Sequence, residues 1–196
     1  MNLEKTIKNL QKRGFGAVYF STAAEAAAYL KEQIKGTSVG IGGSMTAKDM
    51  NLYELLSEEN EVYGHWHIPG DETVAKANAA KVYITSANAL TEDGEILNID
   101  GRGNRLAAQV YGDKRLYFVV GVNKICPDFN SALDRARNVA SVKNAARFGL
   151  PTPCQTDGKC HDCHAPQRIC NALMVHWAPM MGMVSEVVLI GEEMGF

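Results

Sequence analysis

The chain places four of its five cysteines in one short polar segment, Cys154-x5-Cys160-x2-Cys163-x6-Cys170, with His161 and His164 between them. A Cys-x2-Cys step lets two thiolates reach one metal from a tight turn, and the outer pair closes a loop too polar to build its own core. Cys154, Cys160, Cys163 and Cys170 are therefore candidate metal ligands. Zinc would be satisfied by four thiolates, or by thiolates with a histidine, whereas an iron–sulfur cluster would take the cysteines alone; the spacing admits either cofactor. A redox dithiol at Cys160 and Cys163 and a set of unligated thiols are the competing readings. Cys126, just past a strand end, could join the site as a fifth ligand or a nucleophile, but a lone cysteine reads first as an inert core thiol.

Two further segments have the residue types to grip an anion. In Gly40-Ile41-Gly42-Gly43-Ser44-Met45-Thr46, glycines follow a strand and precede a helix. The backbone can then approach an anion, and the helix start offers free N–H groups. Gly42, Gly43, Ser44 and Thr46 are the candidate ligand-binding residues, the last two through their hydroxyls. Asp100-Gly101-Arg102-Gly103-Asn104-Arg105 repeats the pattern with two guanidinium groups, which hold a carboxylate or phosphate in bidentate fashion. Here the candidates are Gly101, Arg102, Gly103, Asn104 and Arg105. A tight turn with no ligand accounts for either segment equally well. Neither is a P-loop or a full dinucleotide fingerprint, because the required lysine and glycine spacings are missing. His65 and His67 would share one face if the residues around Trp66 form a strand, either as metal ligands or, as the safer view, as a strand-end pair contributing to a hydrogen-bonded pocket. His176 reads as structural, and Met174, Met180, Met181 and Met183 suit a packed or partner-facing segment.

The elements that must position these residues alternate. Leu3, Ile7 and Leu10 recur at helical spacing, Ala17 to Phe20 is a short apolar run, and Ser21 or Thr22 caps an Ala-rich helix ending near Gly36. A strand from Ser38 leads into the first glycine turn and then a helix containing Met50, Leu52, Leu55 and Leu56. Further strands are expected at Glu61 to Trp66, Val82 to Asn88, Arg115 to Gly121 and Val187 to Ile190. Helices are expected at Pro69 to Ala80, Asn104 to Tyr111 and Asn130 to Phe148. Asp93-Gly94 marks a hairpin between Leu90 and Ile99. The alternation implies an α/β fold with a mainly parallel twisted sheet and helices on both faces. Pro151 to Cys170 stands out as a long loop without apolar periodicity, of the kind that is usually functional or held by something.

A chain of 196 residues can bury one good core, so residues 1–196 are expected to form a single domain carrying the cysteine-rich loop 151–170. Hydrophobic residues make up 46% and charged residues 21%, which excludes a disordered or fibrous chain. The formal net charge is -2 with no basic patch, so nucleic acid is not an expected partner. The N-terminus lacks a basic start and an apolar stretch, and nothing approaches a span of ~20 apolar residues. A cytoplasmic protein off the membrane is expected, where five cysteines do not build a disulfide framework.

Over nearly its whole length the chain resembles the lactate-utilisation (LUD) domain family. The resemblance lies in Gly40 to Asp49, Thr85 to Gly94, Asn98 to Arg105, Val119 to Ile125 and the C-terminal cysteines. It implies the fold shared by ribose-phosphate isomerases, glucosamine-phosphate deaminases and coenzyme A transferases, whose ligands sit at strand ends beside glycine turns. Asp100 stands near where the isomerase branch places an acid or base, which makes it the candidate catalytic residue, with Glu92 or Asp93 able to stand in. The family also implies a link to oxidation of lactate to pyruvate, with larger members carrying ferredoxin-like iron–sulfur motifs in multi-protein complexes. This chain lacks such a separate domain, so its cysteine loop would be a reduced counterpart.

The expected partner is a small anionic metabolite, a hydroxy acid or sugar phosphate, with protein partners in a redox complex or a second copy of the chain as the macromolecular contacts. The alternatives are a non-catalytic partner-binding module with structural zinc, and a sugar-phosphate isomerase-like enzyme.

Overall fold

Asn2 starts the first helix, α1 (Leu3–Lys12), by accepting the Lys5 N–H on its side chain at 3.0 Å in the computed structural model, which describes residues 1–196. Strand β1 (Gly16–Phe20) follows, and Thr22 then caps α2 (Ala23–Gln33). Its hydroxyl accepts from Glu25 N–H while the Glu25 carboxylate accepts from Thr22 N–H, a reciprocal capping box. Strand β2 (Ser38–Ile41) leads to the glycine turn and to two short helices, α3 (Met45–Asp49) and α4 (Leu52–Ser57). The sequence pattern predicts one helix here. Asn51 divides it by taking the left-handed conformation, φ 51°, which asparagine tolerates better than most residues.

The chain continues through β3 (Glu61–Gly64), α5 (Asp71–Ala79), β4 (Val82–Thr85), β5 (Ala89–Thr91), β6 (Ile96–Asp100), α6 (Asn104–Val110) and β7 (Arg115–Gly121). Next come β8 (Ile125–Cys126), α7 (Phe129–Asp134), a π-helical stretch at Arg135–Ser141, α8 (Val142–Arg147), α9 (Cys154–Asp157), β9 (Ala172–His176) and β10 (Val184–Ile190). The long helix expected at Asn130 to Phe148 is thus continuous but widened in its middle, and such π segments occur often at functional sites.

Six strands form a wholly parallel sheet in the order β3-β2-β4-β7-β10-β1. Side chains alternate across it. Tyr117 and Val119 pack with Leu30 of α2 and Leu52 of α4 on one face, while Leu116, Phe118 and Val120 pack with Leu10 of α1 and Ala77 of α5 on the other. Gly40 in β2 allows α5 to lie directly on the sheet, since a Cβ there would stand 2.2 Å from the Ala77 carbonyl oxygen.

A second, four-stranded sheet in the order β8-β5-β6-β9 is absent from the sequence reading, apart from its hairpin. The β5–β6 turn sits at Asp93-Gly94 as expected, with Gly94 at φ 86°. Strand β9 escaped notice because Ala172 and Leu173 face outward at the sheet edge and only His176 is buried, so the segment lacks an apolar alternation. The other departure is β3, which ends at Gly64. His65, Trp66 and His67 lie in a turn, and the two histidines do not share a strand face. The 151–170 loop contains only the single helical turn α9.

Candidate functional site

In a parallel sheet the loops that leave the carboxyl ends of the strands gather on one edge, and a crevice opens where neighbouring strands send their chains in opposite directions. Here β2 and β4 are neighbours; β2 runs on to β3 on one side and β4 runs on toward β7 on the other. A cleft of about 400 Å³ lies on this edge, within the range of small-molecule sites. It is lined by Gly43 and Ser44 after β2, His65 and Trp66 after β3, Ser86 to Asn88 after β4, and Asp100 to Arg102, Asn104 and Arg105 after β6. Lys124 after β7 and Asn144, Arg147 and Phe148 of the long helix complete the wall.

Of the residues nominated from the sequence, Gly43, Ser44, Gly101, Arg102, Asn104, Arg105 and Asp100 line the cleft. Gly42, Thr46 and Gly103 do not, and each has a structural reason for its identity. A Cβ at Gly42 would meet the Tyr83 hydroxyl at 2.6 Å, and Gly103 takes φ 82° at the start of α6. Thr46 is fully buried beneath the cleft floor. The Ser44 hydroxyl accepts the Ala47 N–H at 3.2 Å and so caps α3.

Asp100 organises its own turn. Oδ1 accepts the Arg102 N–H and Oδ2 the Arg105 N–H, both at 3.2 Å, and Oδ2 lies 3.3 Å from Arg105 Nε. Arg105 also donates to the Ile99 carbonyl at 2.7 Å, so its guanidinium is fixed in the wall. Arg102 pairs with Asp71 at the rim, at 2.6 Å. Arg147 has no carboxylate partner; it stacks on Trp66 and Phe148, with its guanidinium carbon 4.6 Å and 4.0 Å from the ring centroids, and binds Asn144 Oδ1. Burial, and after it the Arg105 charge, lowers the Arg147 pKa. Three arginines and Lys124 thus line the cleft, with Asp100 pairing Arg105, Asp71 pairing Arg102 at the rim, and Arg147 left without a carboxylate.

His65 contributes differently. Asn104 Nδ2 lies 3.2 Å from its Nδ1, and its Nε2 is buried without a partner. Burial first, and then Arg105, lowers its pKa and favours a neutral ring. With Asn104 donating to Nδ1, Nε2 carries the proton and is a free donor. His67 stacks on Tyr53, centroids 3.8 Å apart, outside the cleft. Below the floor, Gln109 Oε1 accepts from Asn98 Nδ2 at 3.2 Å and pairs with His176 Nε2 at 3.1 Å, joining β6, α6 and β9.

The four cysteines of the loop line one small recess, together with Arg137, Thr152, His161 and Arg168. All are free thiols, and no three His, Cys, Asp or Glu side chains converge closely enough to hold one ion. The donor chemistry of the recess nevertheless fits a thiophilic centre. Arg137 donates to Cys160 Sγ and Arg168 to Cys170 Sγ, each at 3.6 Å, and four sulfur donors on one recess are the ligand type that thiophilic metals select. Arg168 Nε is buried with no partner. Ser141 and Ile169 line both this recess and the cleft, so the two sites share a wall. Cys126 lies apart in the core between the small sheet and α7.

His65 reaches the cleft as a pocket residue, while Lys124, Asn88, Asn144 and Arg147 are cleft residues that sequence reasoning missed. Lys124 stood within the Val119 to Ile125 segment that carries the family resemblance, which was the one available signal for it.

These features define a parallel-sheet α/β domain with a cationic cleft at its strand ends. The LUD domain model matches residues 3–183, and the chain belongs to that family. A crystal structure of a DUF162 family protein from Deinococcus radiodurans has a similar fold, with 13% identity over 95% of each chain and a TM-score of 0.57. No curated protein matches the sequence.

Proposed function

We propose that this LUD-domain protein binds a small carboxylate metabolite in the cleft, a lactate-like hydroxy acid or the corresponding 2-oxo acid, and serves the oxidation of that class. The observation that carries this reading is the pair of guanidinium groups at the strand ends: Arg105, fixed in the wall by Asp100 and the Ile99 carbonyl, and Arg147, which has no carboxylate partner. A carboxylate is met by the fixed guanidinium of Arg105 and by that of Arg147, which has no carboxylate partner. Asp100 holds Arg105 in place in this reading. As an acid or base it would act only on a substrate proton brought to its oxygens, since both already accept backbone N–H groups.

Cys154, Cys160, Cys163 and Cys170 would hold an iron–sulfur cluster or zinc. An iron–sulfur cluster would supply one-electron transfer, and zinc would cross-link the loop. The wall shared through Ser141 and Ile169 supports a centre that acts with the cleft.

The test is calorimetric titration of anaerobically purified protein with lactate, pyruvate and a phosphorylated aldose, alongside iron, sulfide and zinc analysis. Lactate or pyruvate binding with iron and sulfide present supports the reading. Binding of the sugar phosphate alone, or a protein free of metal, overturns the corresponding half.

A further inference from the structure

Lys124 is the one lysine whose side chain is nearly wholly enclosed at the cleft, with 3% of its surface exposed. It follows β7 and reaches back to the crevice between β2 and β4. Nζ lies 3.0 Å from Thr46 Oγ1, beyond the end of β2, and 2.9 Å from Ser86 Oγ, beyond the end of β4. No carboxylate stands within ion-pair distance. The chain at Gly195 closes over it, since a Cβ there would lie 3.4 Å from Nζ and 2.7 Å from Thr46 Oγ1.

This is an odd setting for an ammonium ion, which needs three acceptors or a counter-charge when buried. A neutral amine suits it better: two N–H bonds serve the two hydroxyls, and the remaining lone pair is free. The surroundings agree in direction. Burial foremost, then the Arg135 charge, hold the Lys124 pKa down at about 7, with Asp49 opposing and Arg105 adding to the effect. Desolvation of this kind turns a lysine into a nucleophile toward carbonyl groups. Lys114 is the other largely buried lysine, but it bonds the carbonyl of Asn78 in the last turn of α5 and does not line the cleft.

We propose that Lys124 captures the carbonyl carbon of a 2-oxo acid as an imine, with the acid's carboxylate held by the cleft arginines. Nζ adds to the carbonyl carbon, and the carbonyl oxygen gains a proton to give a carbinolamine. Its hydroxyl then leaves with the remaining amine proton as water, so a C=N bond replaces C=O and no redox change occurs. Ser86 and Thr46 stand within hydrogen-bond reach of Nζ to relay the protons. The proposal rests on the carboxylate-binding reading of the cleft, and it goes further by giving that site a covalent function specific to oxo acids.

Pyruvate with sodium cyanoborohydride traps such an imine as a stable secondary amine, which peptide mass spectrometry locates as a carboxyethyl group. The expected result is one adduct on wild-type protein, at Lys124, formed far faster than on any surface lysine. Lys124→Met should abolish it and Lys114→Arg should leave it. Because the adduct is mapped on the wild-type chain, the result stands even if Lys124→Met fails to fold. Calorimetry with lactate, which has no ketone to form an imine, separates the two ideas. Lactate binding without a Lys124 adduct overturns the imine and leaves the cleft reading intact; absence of both overturns both. An adduct spread over surface lysines also overturns the proposal.

Discussion

Arg105 is anchored to Asp100 twice over: Asp100 Oδ2 lies 3.3 Å from the Arg105 Nε and accepts the backbone N–H of the same residue at 3.2 Å. The carboxylate therefore fixes both the start of α6 and the guanidinium that the helix carries. A flexible cation has been made into a rigid one, which lowers the ordering cost of gripping an anion.

Arg105→Lys should therefore weaken lactate or pyruvate binding by about 2 kcal/mol, roughly thirtyfold, because a charge-assisted fork becomes a point charge. Asp100→Asn keeps a side-chain acceptor for one backbone N–H and should lose a smaller factor. Calorimetric titration measures both. Unchanged affinity in Arg105→Lys would remove Arg105 from the site.

His176 makes stability depend on pH. Its ring is buried, with 1% of the residue exposed, and burial holds its pKa down at about 4 against the ordinary 6.5. A depressed folded-state value means that the unfolded chain binds the proton more readily. The neutral ring's contribution is thus fully present above pH 6.5 and is lost as pH falls toward 4. The loss should reach about 3 kcal/mol at most. Denaturant titrations across that window should show the decline, and His176→Gln should flatten it.

Gly40→Ala should be among the most damaging small substitutions in the chain. The new Cβ would stand 2.2 Å from the Ala77 carbonyl oxygen and 2.8 Å from the Tyr83 ring, so α5 must move off the sheet. A loss of about 3 kcal/mol is expected, read as a lower melting temperature. A melting temperature equal to the wild type would show that α5 is not seated as described.

Cys160→Ser and Cys163→Ser should lower bound metal to a fraction of the wild-type content, whereas Cys126→Ser, in a separate apolar core, should retain it. Metal analysis after anaerobic purification decides this. Retention by both loop variants would leave the recess as a cluster of free thiols.

Much of the scaffold was legible because its signals are local. The apolar runs at Val82 to Thr85 and Arg115 to Gly121, the Thr22 cap and the Asp93-Gly94 turn each act through near neighbours in the chain. The two glycine turns were visible for the same reason, yet their residues divided in the folded protein. Gly43, Ser44, Gly101, Arg102, Asn104 and Arg105 reached the cleft, while Gly42 made room for Tyr83 and Gly103 started a helix. Strand β9 was lost to the eye because an edge strand exposed on one side carries little periodicity.

By itself, then, the sequence determined the parallel α/β plan, the family, the thiol-rich loop and the arginine-bearing turn at Asp100 to Arg105, all of which depend on residue type and short spacing. Tertiary structure alone decided the rest. Arg147 joins Arg105 only because α8 packs over the strand ends, and Ser141 and Ile169 become a shared wall only once the loop folds back. Lys124 is an ordinary lysine in sequence. It becomes a buried amine between two hydroxyls because β2, β4 and β7, far apart along the chain, pair side by side and enclose it away from water.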